Sequence, residues 1–129
     1  MGAFTELELA YLRGQPLMRF ASASPTGAPD VATVAFSVDG DDIVTAGFDI
    51  AKTVRYRNIA ANPRATVVID DLASLDPWTP RGIKVRGATR IEDDADGQRF
   101  RITPEVIWSW GVNEPVQGIP VMERRSVSP

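Results

Sequence analysis

One stretch, from Thr45 to Arg64, limits the fold of this chain more than any other, because it sets a single helix between strands. Thr45-Ala46 leave a strand, Gly47 turns the chain, and a helix opens near Ala51. The helix stops at Asn62-Pro63, since the residue before a proline is pushed out of the α region. Between Lys52 and Arg64 lie four cations and no acid. The open N–H groups of a helix start, with Lys52, Thr53 and Arg55 beside them, suit a phosphate. The competing account is a solvated helix face, the commoner outcome for a run of charge.

At 129 residues, 43% hydrophobic and 24% charged, the composition is that of one folded domain spanning 1–129. There is no cysteine and no histidine. Their absence removes disulfides, thiolate nucleophiles, zinc-thiolate sites, Ser-His-Asp catalysis and imidazole bases. Carboxylates, Tyr, Lys, Arg or a cofactor are left to carry any chemistry. Met1 to Leu7 lacks a basic segment followed by an apolar run, and no window approaches the roughly 18 apolar residues of a membrane span. A cytoplasmic protein without a membrane partner is expected. A net charge of −3 argues against nucleic acid as a partner, which needs a basic surface.

Period-two patterning fills most of the remaining chain. Thr5-Glu6-Leu7-Glu8 reads as a capping box that opens a short helix to Leu12 or Arg13, ended by Gly14. Leu17 to Ala23 reads as a strand and Ser24-Pro25-Thr26-Gly27 as a turn. Val31 to Val38 puts Val34, Phe36 and Val38 on a core face. Its other face, Val31, Thr33, Ala35 and Ser37, is either a packing surface or a floor for a flat ligand. Ile43 to Ala46 returns after a turn at Asp39-Gly40, and Ala65 to Ile69 reads as a buried strand. Asp70 to Pro80 reads as a proline-interrupted loop that keeps Trp78 out of the core, where it caps a ligand or fills a partner's groove.

Ile83 to Ile91 places Lys84, Arg86 and Arg90 on one face and Ile83, Val85, Thr89 and Ile91 on the other. With Arg81, this second island brings eight of the fourteen Lys and Arg residues into two short segments. In an acidic chain such clustering favours a small anionic ligand over a polyanion. Glu92 to Gly97 reads as an acidic turn. Arg99–Thr103 and Glu105–Trp110 read as closing strands with a corner at Pro104, and residues from Glu114 onward as a loose tail.

Strands in this order, with one helix after the third, resemble the split barrel of the pyridoxamine-phosphate-oxidase-like flavin-binding superfamily. Three segments carry the resemblance: Thr53-Val54-Arg55-Tyr56-Arg57-Asn58-Ile59-Ala60-Ala61-Asn62-Pro63, the run from Asp76-Pro77-Trp78 to Arg86-Gly87, and Arg101-Ile102-Thr103-Pro104 through Trp108-Ser109-Trp110-Gly111. Together they are similar to the actinobacterial branch that uses the deazaflavin coenzyme F420. The resemblance implies a mainly β, FMN-binding split-barrel fold and a homodimer with a cofactor in each groove between subunits. It also implies a cofactor phosphate at Lys52, Thr53 and Arg55, with Lys84 or Arg86 contributing from a second strand. The ring would lie along Thr33, Val34 and Ala35 near Gly47, and Trp78 would touch the cofactor of the other subunit. The basic signature Arg-x-Val-Leu-Leu-Lys, with which true pyridoxamine-phosphate oxidases hold FMN, is absent.

The implied activity is that of an F420-dependent reductase, transferring hydride from reduced deazaflavin to an electron-poor double bond of a small organic substrate. No side chain is assigned as catalytic. Two alternatives stay open. FMN in place of deazaflavin would give a flavin reductase or oxidase of the same fold. A non-catalytic protein would bind and carry F420 without turnover.

Overall fold

The computed structural model describes residues 2–127. Helix α1 (Glu6–Arg13) opens with the expected capping box: Thr5 Oγ1 accepts from the Glu8 N–H at 3.1 Å, while the Glu8 carboxylate accepts from the Thr5 N–H at 2.9 Å. Strands β1 (Leu17–Ala23), β2 (Pro29–Ala35), β3 (Ser37–Asp39) and β4 (Asp42–Ala46) follow. A 3-10 turn (Ile50–Lys52) and α2 (Val54–Ala61) interrupt the strands, which resume as β5 (Arg64–Ser74), β6 (Thr79–Asp94), β7 (Gly97–Trp110) and β8 (Glu123–Ser126). The strand order is β2-β1-β5-β6-β7-β4-β3, all antiparallel. The long β7 holds two strands on one edge: Arg99–Ile102 pair with β4, and Val106–Ser109 pair with β8.

Alternation builds the core. Met18, Phe20, Val67, Ile69, Ile83, Val85, Phe100, Ile102 and Ile107 turn inward and lose all contact with solvent. Phe20 and Phe100 meet at 5.2 Å between ring centroids, and Ile50 and Ile59 add the helical side. The outward positions of β1, β5, β6 and β7 therefore form one continuous sheet surface.

Five local expectations change. Val31 to Val38 is not one strand: β2 ends at Ala35 and pairs with β1, and β3 starts at Ser37 and pairs with β4. The helix begins at Val54 rather than near Ala51, because Thr53 caps it and the preceding residues close as a separate 3-10 turn. Asp70 to Pro80 is not a loop throughout: β5 continues to Ser74 and β6 starts at Thr79, with Pro80 opposite Leu72 at a strand end, where its missing N–H is tolerated. Pro104 does not turn a corner; it sits in one uninterrupted strand at a β-bulge, where Arg86 faces Val106, Gly87 faces Pro104 and Glu105 is the extra residue. Glu123–Ser126, read as part of a loose tail, pairs with β7, while Ser128 and Pro129 lie outside the described residues. Among the described residues no helix is long and apolar enough to cross a membrane.

Candidate functional site

Asp49, with a left-handed backbone (φ 58°), turns the chain out of β4 toward α2. Thr53 then fixes the helix start: its hydroxyl donates to the Ile50 carbonyl at 2.6 Å and accepts from the Tyr56 N–H at 3.2 Å. That hydroxyl proton is already used within the chain. Lys52 reaches into solvent, 81% exposed, and pairs with Asp49 at 3.1 Å. Arg55 differs from both. Its Nε is buried and has no hydrogen-bond partner, which leaves a guanidinium N–H desolvated and unmatched. Gly47 keeps the adjacent space clear: a Cβ there would lie 3.2 Å from Ile50 Cγ2 and 3.4 Å from Arg55 Nη2. A cleft of about 290 Å³ opens beside it, between Gly47–Ala51 and Asp96–Gln98. Among the described residues the outer nitrogens of that guanidinium carry no hydrogen bond either, and Nη2, on the Gly47 side, is the part an anionic oxygen would meet.

The second feature lies on the outer face of the sheet. One register row runs Thr33, Arg19, Val68, Lys84, Trp108, Arg124 from β2 to β8. Lys84 Nζ stands 4.2 Å from the centroid of the Trp108 ring, with Arg86 Cζ at 5.2 Å and Arg124 Cζ at 5.7 Å. One row further along, Trp110 lies across Gly82, where a Cβ would come within 2.7 Å of Trp110 Cε2. Next to Arg86 a cleft of about 360 Å³ is lined by Ala21, Ser22, Asn62, Arg64 and Thr66.

The model of the family described as pyridoxamine 5'-phosphate oxidase matches residues 4–119, nearly the whole chain. The chain belongs to the pyridoxamine 5'-phosphate oxidase family. A curated relative, the 5a,11a-dehydrotetracycline/5a,11a-dehydrooxytetracycline reductase of Streptomyces rimosus, is 30% identical over 119 residues, covering 84% of each chain. Solved structures with the same fold include a conserved hypothetical protein from Mycobacterium tuberculosis (TM-score 0.71, 16% identity, 91% of this chain and 92% of that one). A second is HutZ, a haem storage protein from Vibrio cholerae (TM-score 0.62, 14% identity, 78% and 89% of the two chains). The mainly β split barrel expected from the sequence is the fold found, and family and reductase relative together make the chain an oxidoreductase of this fold.

Within this member of the pyridoxamine 5'-phosphate oxidase family, the residues proposed from sequence fall into separate groups. Gly47, Lys52, Thr53 and Arg55 gather at the start of α2. Lys84 and Arg86 meet on Trp108, three strands from Thr33, which is about 14 Å along the sheet. Thr33 and Ala35 are exposed on the outer face of β2, whereas the Val34 side chain is buried in the core. Trp78 is 53% exposed in the β5–β6 turn, where its carbonyl accepts from the Gly118 N–H at 2.7 Å. Trp108 and Arg124 escaped the sequence reading as site residues. The period of two around Trp108 was a signal for the first, but the pairing of β8 has no local signature.

Proposed function

We propose that this protein is an F420-dependent reductase acting on an electron-poor double bond of a small organic molecule, as a homodimer with a cofactor between subunits. The observation that carries the proposal is the 30% identical relative named as a reductase of dehydrotetracyclines, matched over 84% of both chains. Bound deazaflavin supplies the hydride. The chain's own residues bind and orient. Arg55 holds an anionic group of the cofactor through the outer nitrogens of its guanidinium, Gly47 leaves room beside Nη2, and Thr53 sets the helix start against which it rests. Thr33 and Ala35 offer a floor of small side chains. The Tyr56 ring packs edge-on against Phe100, 6.3 Å between centroids, so the proton that follows hydride is assigned to solvent rather than to Tyr56. Exposed Leu17, Val31, Leu72 and Trp78 support a covering second subunit. Haem finds no histidine or cysteine to ligate its iron.

The test is a titration of the purified protein with F420 and with FMN, followed by turnover of reduced F420 against a panel of enones. Tightly retained FMN with no response to reduced deazaflavin would sink the proposal; F420 binding without turnover would favour a carrier. Arg55→Ala is expected to weaken F420 binding by about 1.5–3 kcal/mol, the scale of one charge-assisted contact. Lys52→Ala should do far less, since that side chain is solvated and already paired with Asp49. Equal losses in the two variants would move the anionic group away from Arg55.

A further inference from the structure

Of the fourteen Lys and Arg side chains, eight lie within 4 Å of a carboxylate among the described residues. The six without one are Arg13, Arg55, Arg57, Lys84, Arg86 and Arg124. Three of these six converge on a single indole, that of Trp108. The convergence is built by register. Lys84 and Arg124 oppose Trp108 from the two strands that flank it, and Arg86 stands two residues along β6 on the same face. Three cations so placed repel one another, and one ring offsets only part of that repulsion. In the same sheet the comparable crowding of Arg99 and Arg101 is neutralised by Glu92, Asp39 and Asp42. Among the described residues, no carboxylate lies within 4 Å of Lys84, Arg86 or Arg124.

We propose that Lys84, Arg86 and Arg124, gathered on Trp108, form a binding site for a small anion carrying more than one negative charge, carboxylate or phosphate, with β8 as one of its walls. An indole beside the charges suits a ligand whose anionic group adjoins a flat or apolar portion. The cleft of about 360 Å³ that begins at Arg86 gives that portion a place to lie. The site stands on charge and packing alone and does not depend on which ring system the fold binds.

Citrate and pyrophosphate, titrated by calorimetry into the full-length protein at low salt, are the probes. Each of Lys84→Gln, Arg86→Gln and Arg124→Gln is expected to weaken binding of at least one probe tenfold or more. Arg13→Gln and Arg57→Gln, which remove unpaired cations elsewhere, should change it less than twofold. Thermal melts establish that the variants are folded, and Trp108→Phe, which keeps an aromatic face, is expected to retain most of the affinity. Undetectable binding, or equal losses in the Arg13 and Arg124 variants, would overturn the proposal. Competition then separates the sources of the anion. Displacement of pyrophosphate by F420 would place an anionic part of the cofactor on Trp108, and simultaneous binding would reserve the site for an anionic substrate.

Discussion

A Gly87→Ala variant is expected to lose at least about 3 kcal/mol of unfolding free energy, read as a lower denaturant midpoint at an unchanged slope. Gly87 occupies the β-bulge where β6 meets the Thr103-Pro104 segment of β7. A Cβ at this position would overlap the Thr103 carbonyl oxygen and lie 2.8 Å from its carbonyl carbon and 3.2 Å from Pro104 Cα. Those atoms are backbone, so no side-chain rotation relieves the clash; the two longest strands of the sheet would have to separate. The bulge itself is required because Pro104 has no N–H to give to the ladder and Glu105 is the surplus residue. Gly40→Ala is the control. Gly40 has φ 62° with no atom within 4 Å of its missing Cβ, so alanine there should cost only about 1–2 kcal/mol of left-handed backbone strain. A Gly87→Ala loss no larger than that of Gly40→Ala would show that the Thr103-Pro104 backbone does not close this position to a side chain.

The contrast between these two glycines also marks what the sequence discloses. Local rules were legible. Thr5 and Glu8 announced the first helix, Asn62-Pro63 ended the second, and alternation in Ile83–Ile91 separated the core face from the cationic face. Rules that depend on the partner strand were not. Pro104 reads locally as a break, and only the bulge against Gly87 lets it stay within a strand. Pro77 and Pro80 read as loop, yet β6 starts between them because Leu72 and Ser74 offer partners. The site shows the same division. The two basic islands were visible as composition, but half of their eight cations, Lys52, Arg64, Arg81 and Arg90, are paired with Asp49, Glu105, Asp71 and Glu92. Arg64 and Arg81 find their partners through register across strands and Lys52 through a local turn, whereas Arg90 and Glu92 stand two residues apart on one strand face. Arg124 became a neighbour of Lys84 because β8 returns to β7, a contact that no spacing in the chain encodes.

Arg125→Ala is expected to cost about 3 kcal/mol and to raise the pH of acid unfolding. Glu8 is fully buried, and its carboxylate is saturated by four donors. Oε1 accepts from the Thr5 N–H at 2.9 Å and from Arg125 Nη2; Oε2 accepts from Asn113 Nδ2 at 3.0 Å and Arg125 Nη1 at 3.0 Å. Arg125 also donates to the Ala3 carbonyl at 2.7 Å, so one guanidinium joins α1, the N-terminal segment and β8. Removing it leaves a buried carboxylate without its counter-charge, the case in which breaking an ion pair costs most; about 3 kcal/mol is the lower end of that range because Arg125 is itself one third exposed. Burial alone pushes the Glu8 pKa up, but the hydrogen bonds from Arg125, Thr5 and Asn113 together bring it below its ordinary value of 4.5. With the folded pKa depressed, Glu8 stabilises the fold fully above the unfolded pKa, and that contribution is lost as pH falls through the folded value. Without Arg125 the folded pKa rises and the loss begins at a higher pH. Arg125→Lys should fall between the two, since an ammonium cannot bridge both carboxylate oxygens. The double variant Glu8→Gln with Arg125→Met should recover part of the deficit, because neither charge is then stranded. Urea titrations of the four proteins between about pH 3 and pH 7 read all of this; an Arg125→Ala curve parallel to wild type across that range would show that Glu8 does not depend on Arg125 for its charge.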